Sequence, residues 1–87
     1  MNNNEIAQKT NLILSSLKKK NYDIYLKKIN KFLEESVIHE YENIKVIKSE
    51  NYKIYFVIDD NNFKIKAFPS EEDSINFLLD NFIIKKL

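Results

Sequence analysis

Between Tyr52 and Phe68 the chain alternates. Tyr52, Ile54, Phe56 and Ile58 interleave with Lys53, Tyr55, Val57 and Asp59. Phe63, Ile65 and Ala67 then interleave with Lys64, Lys66 and Phe68. A period of two marks strands with two unlike faces. The intervening Asp59-Asp60-Asn61-Asn62 is turn chemistry, because Asp and Asn accept left-handed backbone more readily than other non-glycine residues. With Asp60 and Asn61 at the turn centre, Ile58 faces Phe63, Phe56 faces Ile65 and Ile54 faces Ala67, all on one side. The other side carries Lys53 opposite Phe68, Tyr55 opposite Lys66 and Val57 opposite Lys64. Upstream, Ile44 to Lys48 reads as a further strand. A three-residue loop over 49–51 with Asn51 left-handed pairs Val46 with Ile54 and Ile44 with Phe56. A two-residue loop brings Ile47 to that face instead.

The flanks follow a helical period. Ile6, Thr10, Ile13, Leu14 and Leu17 form one stripe, and Asn2, Asn3 and Asn4 are N-cap residues for it. Tyr22, Tyr25, Leu26, Ile29, Phe32, Leu33 and Val37 form a second stripe. The second is rotated about 115° from the first, so one straight helix cannot carry both. The break is placed near Lys20-Asn21, with Lys18, Lys19 and Lys20 closing the first helix where its dipole favours cations; one long bent helix is the alternative, since neither Gly nor Pro enforces the break. His39 to Asn43 reads as a polar connector. At the other end, Pro69-Ser70-Glu71-Glu72-Asp73 starts a last helix, with Ser70 as N-cap, Asp73 as a weak capping-box partner and three acids in the first turn. Its buried stripe is Ile75, Leu78, Leu79, Phe82 and Ile83, with Phe77 and Ile84 partly off it.

The expected fold is therefore α+β, in the order α-α-β-β-β-α. It is a three-stranded antiparallel meander with helices packed on the Ile54/Phe56/Ile58 face, in one domain spanning 1–87. The opposite face is left open.

Composition changes this picture little. The chain has 87 residues, no Cys, no Gly and a net charge of +1. All fourteen basic residues are Lys. Without Cys there is no disulfide or thiol chemistry, and without Gly no glycine-rich phosphate loop. No apolar run approaches the roughly 20 residues of a membrane span, and MNNNEIAQK lacks the features of a signal peptide. A cytoplasmic setting with no membrane partner is the expectation. Charge is uneven: residues 1–33 hold seven Lys against Glu5 and Asp23, and residues 34–43 hold four Glu and no Lys. Such asymmetry fits a charged partner or solvated helix faces.

Catalytic chemistry is sparse. The one His, His39, stands beside Glu40, a pairing that can act as a general base, but a solvated connector histidine explains it as well. No Ser sits in a nucleophile-elbow context. Asp59, Asp60, Asn61 and Asn62 offer hard oxygens but lack the Gly and bidentate Glu of a calcium loop, and a turn accounts for them. Glu34-Glu35 and Glu71-Glu72 are adjacent on helices and diverge. No enzyme, catalytic residue, metal or cofactor is expected.

Two surfaces remain. The open sheet face would carry Lys45, Ile47, Lys53, Tyr55, Val57, Lys64, Lys66 and Phe68. Interleaved lysines and aromatics can clasp single-stranded nucleic acid, or simply guard a sheet against aggregation. Here the apolar share exceeds what a solvated face needs, which favours some partner, a protein as much as RNA, and a second copy of the chain would satisfy the same residues. The second surface is a basic helical face of Lys18, Lys19, Lys20, Lys27, Lys28 and Lys31, able to neutralise phosphates or merely to be solvated. The absence of Arg and the near-zero net charge weigh against nucleic acid. The expected function is a non-catalytic protein-binding module, of the size of a small inhibitor, immunity protein or phage-encoded antagonist. A small RNA- or DNA-binding protein is second, and a regulatory subunit of a larger complex third.

Overall fold

A computed structural model describes residues 2–33, 37–49 and 53–84. Two helices come first, α1 (Asn3–Leu14) and α2 (Lys19–Leu33). Four strands follow: β1 (Val37–Tyr41), β2 (Ile44–Lys48), β3 (Tyr55–Asp59) and β4 (Lys64–Phe68). The last helix, α3 (Glu71–Leu78), continues into a π-helical turn over Leu79–Ile83. The class is α+β as expected, but the antiparallel meander has four strands, in the order β1-β2-β3-β4. The stretch read as a polar connector is the edge strand β1, joined to β2 through Glu42 and Asn43. Ile38 and Tyr41 pack into the core from it. Its alternation was hidden by a β-bulge between Val37 and His39, which breaks the period of two.

Both hairpin registers differ from expectation. Ile58 pairs with Ile65 and Phe56 with Ala67, two residues away from the expected partners. A slip of two keeps every side chain on its face. Phe63 leaves the strand and closes a four-residue loop with φ of 54°. In the β2–β3 hairpin Ile47 pairs with Phe56 and Val46 with Val57. That slip is odd, so it exchanges faces: Ile47 joins the Phe56 side, while Ile44 and Val46 go to the other. Lys53, at the end of this loop, is left-handed, also at φ 54°. Each loop ends on a left-handed residue just before the chain re-enters its partner strand. Asn51 and Tyr52 lie outside the described residues.

One sheet face carries Ile47, Ile54, Phe56, Ile58, Ile65 and Ala67, packed against Ala7 and Leu14 of α1 and Tyr22 of α2. Asn2 caps α1, its side chain accepting from the Glu5 amide at 2.9 Å. The helix ends at Leu14, six residues before the Lys20 at which the lysine run suggests it closes. Ser15 Oγ and Ser16 Oγ donate back to the Leu12 and Ile13 carbonyls at 3.0 and 2.9 Å. Hydroxyls bonded in this way compete with the helical ladder. Lys18, Lys19 and Lys20 therefore open α2 rather than close α1, at the positive end of the dipole. Ile13 falls off the buried stripe and is exposed, and Ala7 takes its place. Of the second stripe, Tyr22, Tyr25 and Leu26 reach this core. The side chains of Ile29, Phe32 and Leu33 lie outside the described residues.

The second face is not open. Ile44, Val46 and Val57 form another core with Leu78 of α3, joined by Phe68, Phe77, Phe82 and Ile83. The expectation of helices on a single face is thus corrected to helices on both. Ser70 caps α3 as anticipated, accepting from the Asp73 amide at 3.1 Å. The π turn then changes the helical phase. The Ile84 amide donates to the Leu79 carbonyl, five residues back. This wider winding sets the Phe82 ring against Phe77, keeps Ile83 on the core side and turns Leu79 outward.

Candidate protein-binding groove at the sheet edge

The site begins with the free edge of β4. In an antiparallel pair, alternate residues turn their amide and carbonyl towards the neighbour and the rest turn them away. The Ser49 amide donates to the Ile54 carbonyl at 2.8 Å, so Ile54, Phe56 and Ile58 bond towards β2. Their β4 partners, Ile65 and Ala67, consequently point their backbone groups outward. Ala67 is satisfied from α1. The Asn11 Nδ2 donates to the Ala67 carbonyl at 2.9 Å, and Asn11 Oδ1 accepts from the Ala67 amide at 2.7 Å. One side-chain amide thus stands in for one rung of a neighbouring strand. Ile65, one rung along, has no such partner among the described residues.

A groove of about 520 Å³ runs along this edge. Leu14 and Leu17 form the wall on the α1 side, Phe77 and Phe82 the wall on the α3 side, and Lys64 to Lys66 the floor. Phe63 closes one end, its ring edge-on to Tyr22 at 5.6 Å. The aromatic wall is continuous: Phe68 lies 5.0 Å from Phe77, and Phe77 lies 5.9 Å from Phe82. Lys66 Nζ sits 4.8 Å above the Phe77 ring and 5.6 Å above that of Phe68. A cation held over ring faces keeps its charge while its stem covers apolar surface. Lys64 is exposed and has no ion-pair partner among the described residues.

The hairpin that carries the groove is tied down by its acids. The Asp59 carboxylate is 5% exposed and accepts from Asn43 Nδ2 at 2.9 Å, Asn62 Nδ2 at 2.8 Å and the Asn62 amide at 3.3 Å. Asp60 accepts from the Tyr22 hydroxyl at 2.7 Å. Burial, and secondly this bond to Asp60, pushes the Tyr22 hydroxyl pKa well above the usual tyrosine value. The oxygens once weighed as metal ligands thus hold the turn and pin α2 to it.

The expected site residues scatter. Val57, Lys64 and Lys66 line the groove, and Phe68 borders it through Lys66. Val57 is 2% exposed and belongs to the core under α3. Ile47 is 1% exposed on the opposite face, and Lys45 shares that face. Lys53 and Tyr55 line a separate depression with Asn3, Lys48 and the start of α3. The face expected to be open is therefore divided by α3, which leaves its β4 margin and its Lys53/Tyr55 end at the surface. His39 does not pair with Glu40. Its Nε2 meets Glu71 Oε1 at 2.9 Å, linking β1 to the first turn of α3 in solvent.

Sequence reasoning missed Asn11, Leu17, Phe63, Phe77 and Phe82 as groove residues. Asn11 left a signal: a polar residue between Ala7 and Leu14 on the buried stripe of α1 needs a partner. The five-residue spacing of Phe77 and Phe82 was another, legible only once the helix is known to widen there. The chain matches no protein-family model, no curated protein and no solved structure, so the groove is interpreted from its own chemistry.

Proposed function

We propose that this chain is a non-catalytic protein-binding module whose contact surface is the groove along the free edge of β4. The observation that carries the reading is the groove itself. It joins aliphatic and aromatic walls to the unpaired edge of β4 and two lysines. Aromatic and aliphatic anchors ringed by polar groups are what protein recognition uses. A small antagonist that works by occupying its target fits this size and surface. For the nucleic-acid reading, the sheet face is no platform for stacked bases, because α3 lies across it; the basic helical face that includes Lys18, Lys20 and Lys27 remains its basis as the second reading.

The test is a photo-crosslinking amino acid in the producing cells, placed at Phe63 in the groove or at Gln8 on the exposed side of α1. Crosslinking to one protein from position 63 and none from position 8 is expected. Equal crosslinking from both, or none from either, removes the groove as the contact surface.

A further inference from the structure

We infer that the groove accepts an extended acidic strand, which adds to β4 at Ile65 and is selected by Lys64 and Lys66. This rests on the groove being the contact surface and specifies what fills it.

The backbone fixes where the strand bonds. Ile65 offers one outward amide and one outward carbonyl, a full rung for an incoming residue. At Ala67 that rung is already taken by Asn11. Asn11 therefore sets the register and ends the ladder, and the incoming residue opposite Ile65 makes two main-chain bonds. Its side chain shares the face of Ile65, beside Leu14 and Leu17. An apolar residue belongs there.

The neighbours of that central residue fall on the other face, opposite Lys64 and Lys66. The two lysines are about 7 Å apart along the strand, the spacing of alternate residues in any strand. Two carboxylates flanking one apolar residue match them in sign and in spacing. Opposite charges facing each other across strands stabilise the pairing, and like charges oppose it.

The same rule excludes a second copy of the chain. A two-fold pairing of β4 about Ile65 would set Lys64 against the other copy's Lys66, twice. The remaining edge is also unsuited, since the bulge between Val37 and His39 interrupts β1. One smooth edge, one open rung and two cations leave an acidic–apolar–acidic segment of another protein as the occupant.

The probe is the capped peptide Thr-Val-Glu-Val-Glu-Val-Thr, titrated into the ¹⁵N-labelled full chain. Two control peptides replace both Glu by Lys, or carry an N-methyl group on the central Val. Binding of the acidic peptide should move the Ile65 amide resonance. It should exceed binding of the lysine peptide by about tenfold or more, and N-methylation should weaken it about tenfold. The double substitution Lys64→Glu with Lys66→Glu, at two exposed positions, should reverse the charge preference. A second arm needs no peptide. Lys64→Glu alone places a carboxylate opposite the other copy's Lys66, and this variant should dimerise by sedimentation where the wild type does not.

Equal affinity for the acidic and lysine peptides, indifference to N-methylation, absence of peptide binding, or a monomeric Lys64→Glu variant would each overturn the acidic strand. If crosslinking from position 63 still captures a protein, the groove survives and only its occupant is wrong. If that crosslinking fails too, both readings fall together.

Discussion

Tyr22 joins three parts of the molecule through one ring. It is 2% exposed, packs edge-on against Phe63 and donates its hydroxyl to Asp60. Its raised pKa has a consequence for stability. The folded chain holds the neutral phenol above the pH at which the unfolded chain loses its proton. The stabilisation is therefore complete below about pH 10 and declines as pH rises beyond it. Tyr22→Phe should cost about 1 kcal/mol at neutral pH, and the gap to wild type should narrow through the alkaline range. Denaturant melts of both proteins at several pH values measure this; a gap that stays constant would mean the hydroxyl is not held as described. Other residues show what a chain without glycine must accept. Glu42, Lys53 and Phe63 all take positive φ at hairpin turns. For a side chain as large as Phe that is an uncommon conformation. The clustered Asp and Asn rightly indicated a turn. They did not indicate that the left-handed position would fall just after them, on Phe63.

Elements were legible where period and cap agreed, and were misplaced where an unpatterned interaction decided. α3 shows the first case: Ser70, three acids and an apolar stripe all point to one start, and it begins there. The junction of α1 and α2 shows the second. The phase change between stripes favoured two helices over one bent helix, and two form, but the break follows two serine hydroxyls that reach back to the helix, not the lysines. As a result α2 starts with cations at the positive end of its dipole and no acid in its first turn. Lys18 occupies its N-cap position, since its carbonyl accepts from the Tyr22 amide at 2.9 Å. Lysine offers no side-chain acceptor there. Lys18→Asp would supply both an acceptor and a negative charge, and should stabilise the chain by about 1 kcal/mol. For a protein of this size that corresponds to a rise in Tm of about 4–8 °C. A calorimetric scan checks it, and an unchanged or lowered Tm would place the start of α2 elsewhere.

At the scale of the whole molecule the decisive fact is that both sheet faces are covered. The clue stood in the chain as the unbroken runs Val46-Ile47 and Phe56-Val57-Ile58. Strict alternation suits a sheet wet on one side, whereas a strand buried on both sides reads as a continuous apolar run. Assigning Val57 outward by period alone overlooked this. The same error produced the open face, and correcting it moves the candidate site from the middle of the sheet to its β4 margin, where the covering layers part. Val57→Asp separates the two architectures. On a one-sided sheet the substitution would add a solvated carboxylate at a cost within about 0.5 kcal/mol. Between β3 and α3 it buries a charge beside Val46 and Leu78 with no partner, and should destabilise by about 4 kcal/mol or more. Circular dichroism melts of this variant against Asn61→Asp, in the exposed β3–β4 turn, give the contrast. Val57→Asp should unfold at far lower temperature while Asn61→Asp stays near wild type, because a single layer of helix lies over the first position and none over the second.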